Sequence, residues 1–405
     1  MPARPRGRWR PRRLLLLGLL AALLVDQAVQ WTVLRDGWLF GDRIAPFDPP
    51  LFNEAQVEAR ERLAALARGE AGPPRSVVLD GELGWAPRPD TAVGPYRYDA
   101  CGARVGTAGP LARERQPGVR RIVAVGCSFT HGDEVPGDAT WCSRLDEARP
   151  DVEVANLGVG GYGADQALLR LRRDGLSLRP DEVWFGWLPA ASLRVTELYR
   201  PALRHLDTAV GFKPRFVLDG DTLRLVPCPA RDPATALALL SDQQAFLSAV
   251  GEADFWVRRC PSAYAPFLGH ASHVSALARL LLTRFESGGR RAADWLARPD
   301  GEPRRVLLAV VSALRDESEA AGARFRLLVL PDQDGLAEAA RPDGPSWSGC
   351  LDELRARGVD VLDLAPALLA AGALRDGTLW QAGGHYGPVL HAAVAEALAE
   401  ALDGP

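Results

Sequence analysis

Arg121-Ile-Val-Ala-Val-Gly126, running straight into Cys127-Ser-Phe-Thr-His-Gly132, is the stretch on which the fold turns. Its first half is a short apolar, β-branched run that ends in Gly. No polar residue alternates through Ile122–Val125, so a strand here has no wet face and reads as part of a parallel sheet covered on both sides. Its second half sets Ser128 just past the strand end. Open α/β sheets bind ligands outside the carboxyl ends of their strands. A helix starting soon after would also offer backbone N–H groups there.

Working outward, two further strands follow: Asp151-Val-Glu-Val-Ala-Asn156 and Asp181-Glu-Val-Trp-Phe-Gly-Trp187. Helical patterns near Thr140–Ala148 and Ala164–Arg173 separate them, which is the alternation of βαβ units. Residues 198–304 break it. They hold a hairpin at Phe216–Val226 around Asp219-Gly220 and helical pieces near Thr235–Val250 and Val274–Arg284, and they read as an insertion. The alternation then resumes with a helix at Arg305–Ala321, a strand at Arg324–Leu330, a helix at Trp347–Arg357, a strand at Val359–Leu364 and a last helix at Val389–Leu402. Residues 36–118 are loop-rich, with Pro49-Pro50, Pro73-Pro74 and Gly109-Pro110, and with one helix near Asn53–Arg68.

The N-terminus carries a membrane signal. Residues 1–13 contain six Arg and no acid, and an uncharged apolar run, Leu14–Val25, follows. As a helix, Leu14–Leu34 is roughly 31 Å long, enough to cross a bilayer. No A-x-A cleavage site follows, so an uncleaved anchor is expected, with a cleaved signal and an interfacial helix as the alternatives. The Arg cluster stays cytoplasmic by the positive-inside rule. Residues after about 36 then lie outside the cytoplasm.

The chain as a whole has 405 residues, a net charge of −3, 47% hydrophobic residues and 24% charged ones, which excludes a disordered chain. Its 40 Gly and 32 Pro follow no strict period, which excludes a collagen-like one. Leaving out the Arg-rich end, about −9 remains for the rest, and nothing favours nucleic-acid binding. The six cysteines show no CxxC and no zinc spacing. In an oxidising compartment Cys228 and Cys260, which share one irregular segment, are the expected pair; six separate buried thiols are the alternative. Lys213 is the only lysine.

Besides the Ser128 block, two segments carry chemistry. Asn156-Leu-Gly-Val-Gly-Gly-Tyr-Gly163 is a Gly-rich turn that lets backbone approach a ligand. Gly158–Gly163 also spells G-x-G-x-x-G. It follows the second strand, however, and the acid at about the right distance, Asp181, opens the next strand instead of ending it, which argues against a dinucleotide site. Gly383-Gly-His385-Tyr-Gly-Pro-Val-Leu-His391 places a His on a Gly-rich loop before the last helix, where it is a candidate general base. His270 and His273 could meet on a helix face, but no third ligand is evident, and no metal is expected.

Taken in order, the three blocks resemble the SGNH (GDSL-like) hydrolases, and more narrowly a membrane-anchored bacterial branch. The matching residues are Gly126, Ser128, Phe129, Thr130 and Gly132; then Asn156, Gly158, Gly161, Tyr162 and Gly163; then Gly384, His385 and His391. The resemblance covers about 119–197 and 305–405. It implies a three-layer α/β/α sandwich with a flavodoxin-like parallel sheet of about five strands, and serine-based ester hydrolysis or acyl transfer without a cofactor. Carried over, Ser128 is the nucleophile, His385 the base, and the N–H groups of Ser128 and Gly161 the oxyanion donors. Tyr162 and Tyr386 are expected to line the substrate cleft.

The chain also departs from the family pattern. The first-block Asp is Cys127. The third-block Asn-Asp is Ala190-Ala191, although Arg194 and Tyr199 follow in register. Losing one oxyanion donor typically costs roughly 2.7–4 kcal/mol in the transition state. The acid that orients the His is replaced by Gly383, a loss that can cost roughly 10⁴-fold in turnover. Asp332, Asp334, Asp363 and Asp376 are the candidate substitutes.

The expected organisation is a basic tail and transmembrane anchor at 1–35, a lead at 36–118, a first catalytic part at 119–197, an insertion at 198–304 and a second catalytic part at 305–405. The expected activity is that of an extracytoplasmic, membrane-tethered esterase or deacetylase using a Ser128–His385 dyad on an ester or acylated carbohydrate. A binding domain of weak catalytic power and an O-acyltransferase of envelope polysaccharide are the alternatives.

Overall fold

The computed structural model describes residues 10–32, 38–39, 42–43, 54–70, 75–112, 114–203, 211–259, 275–278, 280–281 and 291–403. Strands β1 (Arg120–Gly126), β2 (Val152–Asn156), β3 (Glu182–Trp187), β4 (Arg324–Val329) and β5 (Asp360–Asp363) form one five-stranded sheet in the order β2-β1-β3-β4-β5. Every pairing in it is parallel. This is the flavodoxin-like order, and its direction of winding reverses between β1 and β3. The crevice at that reversal lies directly beyond Gly126 and Gly186, which pair across it.

Alternation along each strand feeds two cores. Val123 and Val125, with Phe185 and Leu327, face helices α5 (Ala164–Arg170), α6 (Glu302–Ala320) and α7 (Ser348–Ala356). Ile122 and Ala124, with Trp184 and Leu328, face helices α4 (Trp141–Ala148) and α8 (Pro388–Asp403). Three layers therefore bury both faces of the sheet, which is why Ile122–Val125 of β1 and Val183–Trp187 of β3 are apolar without alternation.

The expected insertion has its own apolar cluster, built on Tyr199, Phe212, Phe246, Phe255 and Trp256. The single helix expected at Thr235–Val250 is in fact two, Pro233–Ser241 and Gln243–Val250. Asp242 causes the break, because its carboxylate accepts from the N–H groups of Gln244 and Ala245 and starts a new helix. Of the helix expected at Val274–Arg284, only 275–278 and 280–281 are described. Cys260, His270 and His273 lie outside the described residues, so the disulfide and the histidine pair they suggested fall there too. The Cys228 thiol is buried and bonds the Ala230 carbonyl at 3.2 Å.

At the N-terminus, Arg10–Thr32 is one helix, and its Arg13–Thr32 portion is long and apolar enough to cross a membrane. The acid that interrupts its apolar run, Asp26, accepts hydrogen bonds from Ser275 Oγ at 2.6 Å and Leu277 N at 2.9 Å. The carboxylate that follows the apolar run of this helix is thus tied to the insertion instead of left bare.

Candidate active site

The site is built at the end of β1. Gly126 has φ +156°, and a Cβ there would press on Thr130 Oγ1 and sit 2.7 Å from the Gly186 carbonyl, so only Gly fits. The next residues turn at once into a four-residue helical turn, α3 (Ser128–His131), which begins at Ser128 itself. Its carbonyls are used: Cys127 O accepts from Thr130 and His131, and Ser128 O accepts from Gly132 and Asp133. Ser128 is 6% exposed.

The Gly-rich turn after β2 is locked onto this helical turn. Asn156 Nδ2 donates to Thr130 O at 3.0 Å, while its Oδ1 accepts from Gly158 N at 3.0 Å. Gly158 lies so close to α3 that a Cβ would press on His131 N and sit 2.9 Å from the Thr130 carbonyl carbon. Gly161, at φ +83°, turns the chain beside Trp85. Among the described residues, the N–H groups of Ser128 and Gly161 donate to no other protein group. An oxyanion site requires N–H groups that are not otherwise engaged.

The lead segment closes one side. Trp85 Nε1 donates to Gly160 O at 2.9 Å, and Tyr98 Oη bonds His131 Nε2 at 2.8 Å. Arg104 donates to the carbonyls of His131, Gly132 and Val135. His131 is buried and its Nδ1 meets Asp133, so it braces the turn. Burial pushes the His131 pKa down against the opposing pull of Asp133.

His385 stands on the loop before α8, shaped by Gly384 at φ +84°. Its ring centroid lies 5.3 Å from that of Phe129, the residue next to Ser128. Its Nδ1 meets Glu134 Oε2 at 2.5 Å. Glu134 Oε1 accepts from Gly383 N at 2.8 Å, and Glu134 N donates to Tyr96 Oη at 3.1 Å. Burial alone would raise the Glu134 pKa, but the bonds from His385 and Gly383 outweigh it and hold the carboxyl below the usual range. No hydrogen bond joins Ser128 Oγ to His385 among the described residues. Catalytic hydrogen bonds are often long in unliganded sites and tighten only around substrate.

Several expectations need correction. Tyr162 and Tyr386, expected on the cleft wall, are each 1% exposed, and Tyr162 faces a small cavity that Cys127, Gly163 and Trp187 also line. Their hydroxyls are spent on backbone, Tyr162 donating to Trp85 O and Tyr386 to Pro331 O, both at 2.6 Å. They pack edge-on against neighbours of the site, Tyr386 against Phe129 and Tyr162 against Trp85. None of the acids put forward to replace the one missing at Gly383 bonds His385. Asp332, Asp363 and Asp376 instead accept from nearby N–H groups, those of Gly335, Ala365 and Thr378. Asp334 sits in the first turn of the Gln333–Ala339 helix. Glu134 went unread, although an acidic pair, Asp133-Glu134, directly follows the first block.

Where the third block lacks its Asn, Ala190 is exposed on a 3₁₀ run, Pro189–Thr196. Arg200 lies behind the Gly-rich turn, ion-paired with Glu197 at 3.0 Å. Its Nε is 3.7 Å from where a Cβ of Gly161 would stand. Among the described residues no group of three His, Cys, Asp or Glu side chains is placed to hold a metal ion.

No family model matches the chain, and no curated protein does. Solved structures do match. One is a chain described as a G-D-S-L-family lipolytic protein from Desulfitobacterium hafniense DCB-2, at 13% identity, TM-score 0.32, covering 69% of this chain and 98% of that one. Another is the psychrotrophic esterase EstA from Pseudoalteromonas sp., at 10% identity, TM-score 0.35, with coverages of 70% and 97%. A third is a catalytic mutant of the acetylxylan esterase Axe2 from Geobacillus stearothermophilus, at 11% identity, TM-score 0.37, with coverages of 71% and 95%. At such likeness the fold rests on the chain's own strand order, and the activity on the residues of the site.

Proposed function

We propose that the chain is a membrane-tethered serine esterase of the SGNH type, acting outside the cytoplasm on an ester of a small molecule or an acylated carbohydrate. The observation that carries this reading is His385, whose Nδ1 faces the Glu134 carboxylate and whose ring lies 5.3 Å, centroid to centroid, from that of Phe129, the residue next to Ser128 at the sheet crevice. A His so held keeps its proton on Nδ1 and leaves Nε2 as the base.

In this reading Ser128 Oγ attacks the ester carbonyl carbon while Nε2 of His385 takes the hydroxyl proton. The oxyanion is met by the N–H groups of Ser128 and Gly161. The tetrahedral adduct collapses, the C–O bond to the alcohol breaks, and His385 returns its proton to the departing oxygen. Water then repeats the sequence on the acyl-serine and releases the carboxylic acid. Residues 1–35 would serve as tail and anchor, with 36–118 as lead. The catalytic domain would be 119–197 and 305–405, and 198–304 would shape its approach.

Detergent-solubilised chain exposed to a fluorophosphonate probe tests the reading. Wild type should label, and Ser128→Ala should not. The exposed Ala190, standing where a side-chain amide would assist, favours a second reading of a weakly catalytic binding domain. Absence of labelling in wild type would leave that one standing. Turnover of an aryl acetate with and without a sugar acceptor separates hydrolysis from acyl transfer.

A further inference from the structure

We infer that Glu134 is the carboxylate that positions His385, and that Gly383 is the partner position that makes room for it. The inference rests on the esterase reading above and deepens it.

The volume in question is small and already filled. A Cβ built on Gly383 would lie 2.5 Å from Glu134 Oε2, 2.8 Å from Cδ and 2.9 Å from Oε1. An aspartate at 383 would therefore place its side chain against the carboxylate of Glu134. The site holds one acid or the other, not both. Gly383 does not adopt a positive φ, so backbone strain is no reason for Gly there. The neighbouring carboxylate is a sufficient one.

Glu134 is held in that place at a backbone cost. It is one of three non-Gly residues with positive φ among those described, at +68°. Such a conformation persists where its surroundings over-determine it, and it clusters at functional sites. Here Tyr96 Oη receives the Glu134 N–H, Gly383 N fixes Oε1, and Oε2 is left for His385 Nδ1. The other acid of the same turn, Asp133, is engaged with His131. Glu134 is six residues beyond Ser128, on the turn that the Asn156 and Arg104 bonds brace. The nucleophile and the positioning acid thus belong to one rigid segment, and the base comes to them from the last loop.

The test uses the full chain in detergent, with aryl-acetate hydrolysis and nitrogen-edited NMR of the imidazole protons. Glu134→Gln should lower kcat by about 10²- to 10⁴-fold with little change in KM. Gly383→Asp alone should also lose activity, by crowding. The double variant Glu134→Gly with Gly383→Asp should recover at least tenfold over Glu134→Gly, since Gly suits the positive φ and the acid returns beside His385. A low-field Nδ1 proton should be present in wild type and in His-to-Gln variants at the other five histidines, and absent in Glu134→Gln. Retention of kcat in Glu134→Gln, or no recovery in the double variant, would overturn the inference. An inactive wild type would sink the esterase reading instead. The Nδ1 proton then decides Glu134 alone, and its absence from wild type, or its survival in Glu134→Gln, refutes the contact.

Discussion

Single residues set the precision of this site more than any long-range effect does. Gly158 is the sharpest case. Its missing side chain is what allows the Gly-rich turn to lie on the backbone of α3, and backbone cannot step aside as a flexible side chain can. Gly158→Ala should therefore cost about 1–3 kcal/mol, as overpacked interiors do, and should weaken labelling of Ser128. Gly377 is the matched control, because nothing lies within 4 Å of its added Cβ and its φ is ordinary. Urea titration of both variants checks this, and equal midpoints would show that the turn is looser than drawn. Ser128 and His385 stand out in the sequence as candidates because Gly residues bracket them in ordered blocks. Glu134 was not, because the contact that matters crosses 251 residues. No local spacing encodes such a pairing; only the simultaneous Gly at 383 hints at it.

At the scale of elements, the parts that read well were those whose burial writes itself into composition. The apolar runs of β1, β3 and β4 are buried on both faces, and they were found within a residue of their ends. Short pieces read less well. The turn α3 and the helices Gln333–Ala339 and Ala365–Ala370 span at most seven residues and carry too few turns for a periodic signal. The chain's only lysine, Lys213, fastens elements together. Lys213 is fully buried, and its Nζ bonds Asp165 on α5 and the carbonyls of Arg194 and Glu197 at 3.0 and 3.1 Å. Burial pushes the Asp165 carboxyl up, and Lys213 is the largest influence opposing it. Lys213→Met should destabilise the chain by about 3–5 kcal/mol, since it leaves a buried carboxylate unpaired. Adding Asp165→Asn should recover part of that loss. Thermal unfolding of the two variants tests this, and an unperturbed single variant would mean that water reaches the pair.

At the scale of the whole molecule, segments distant in sequence meet over the buried imidazole of His391. His391 lies on α8, and its Nδ1 accepts from Trp141 N at the start of α4, 250 residues away. The ring is 1% exposed, and burial, followed by the charges of Arg104 and Arg144, lowers its pKa to about 3. In the unfolded chain the same imidazole titrates near about 6.5. Between those values the unfolded state binds a proton that the folded state refuses. His391 therefore weakens the fold progressively as pH falls from about 6.5, with a limiting slope of about 1.4 kcal/mol per pH unit. Asp146 works the other way. Burial raises its pKa to about 7, so the folded state holds the extra proton, and the stability this group gives is lost as pH rises toward 7. The total curve mixes the two signs, and the test must take a difference. His391→Asn keeps an acceptor for Trp141 N and removes the titration. Subtracting its unfolding free energy from that of wild type should give a difference that climbs with pH from 5 to about 6.5 and is level above. A difference that stays flat across that window would mean that His391 is protonated in the fold, and that α8 is held to α4 by a charge and not by a neutral ring.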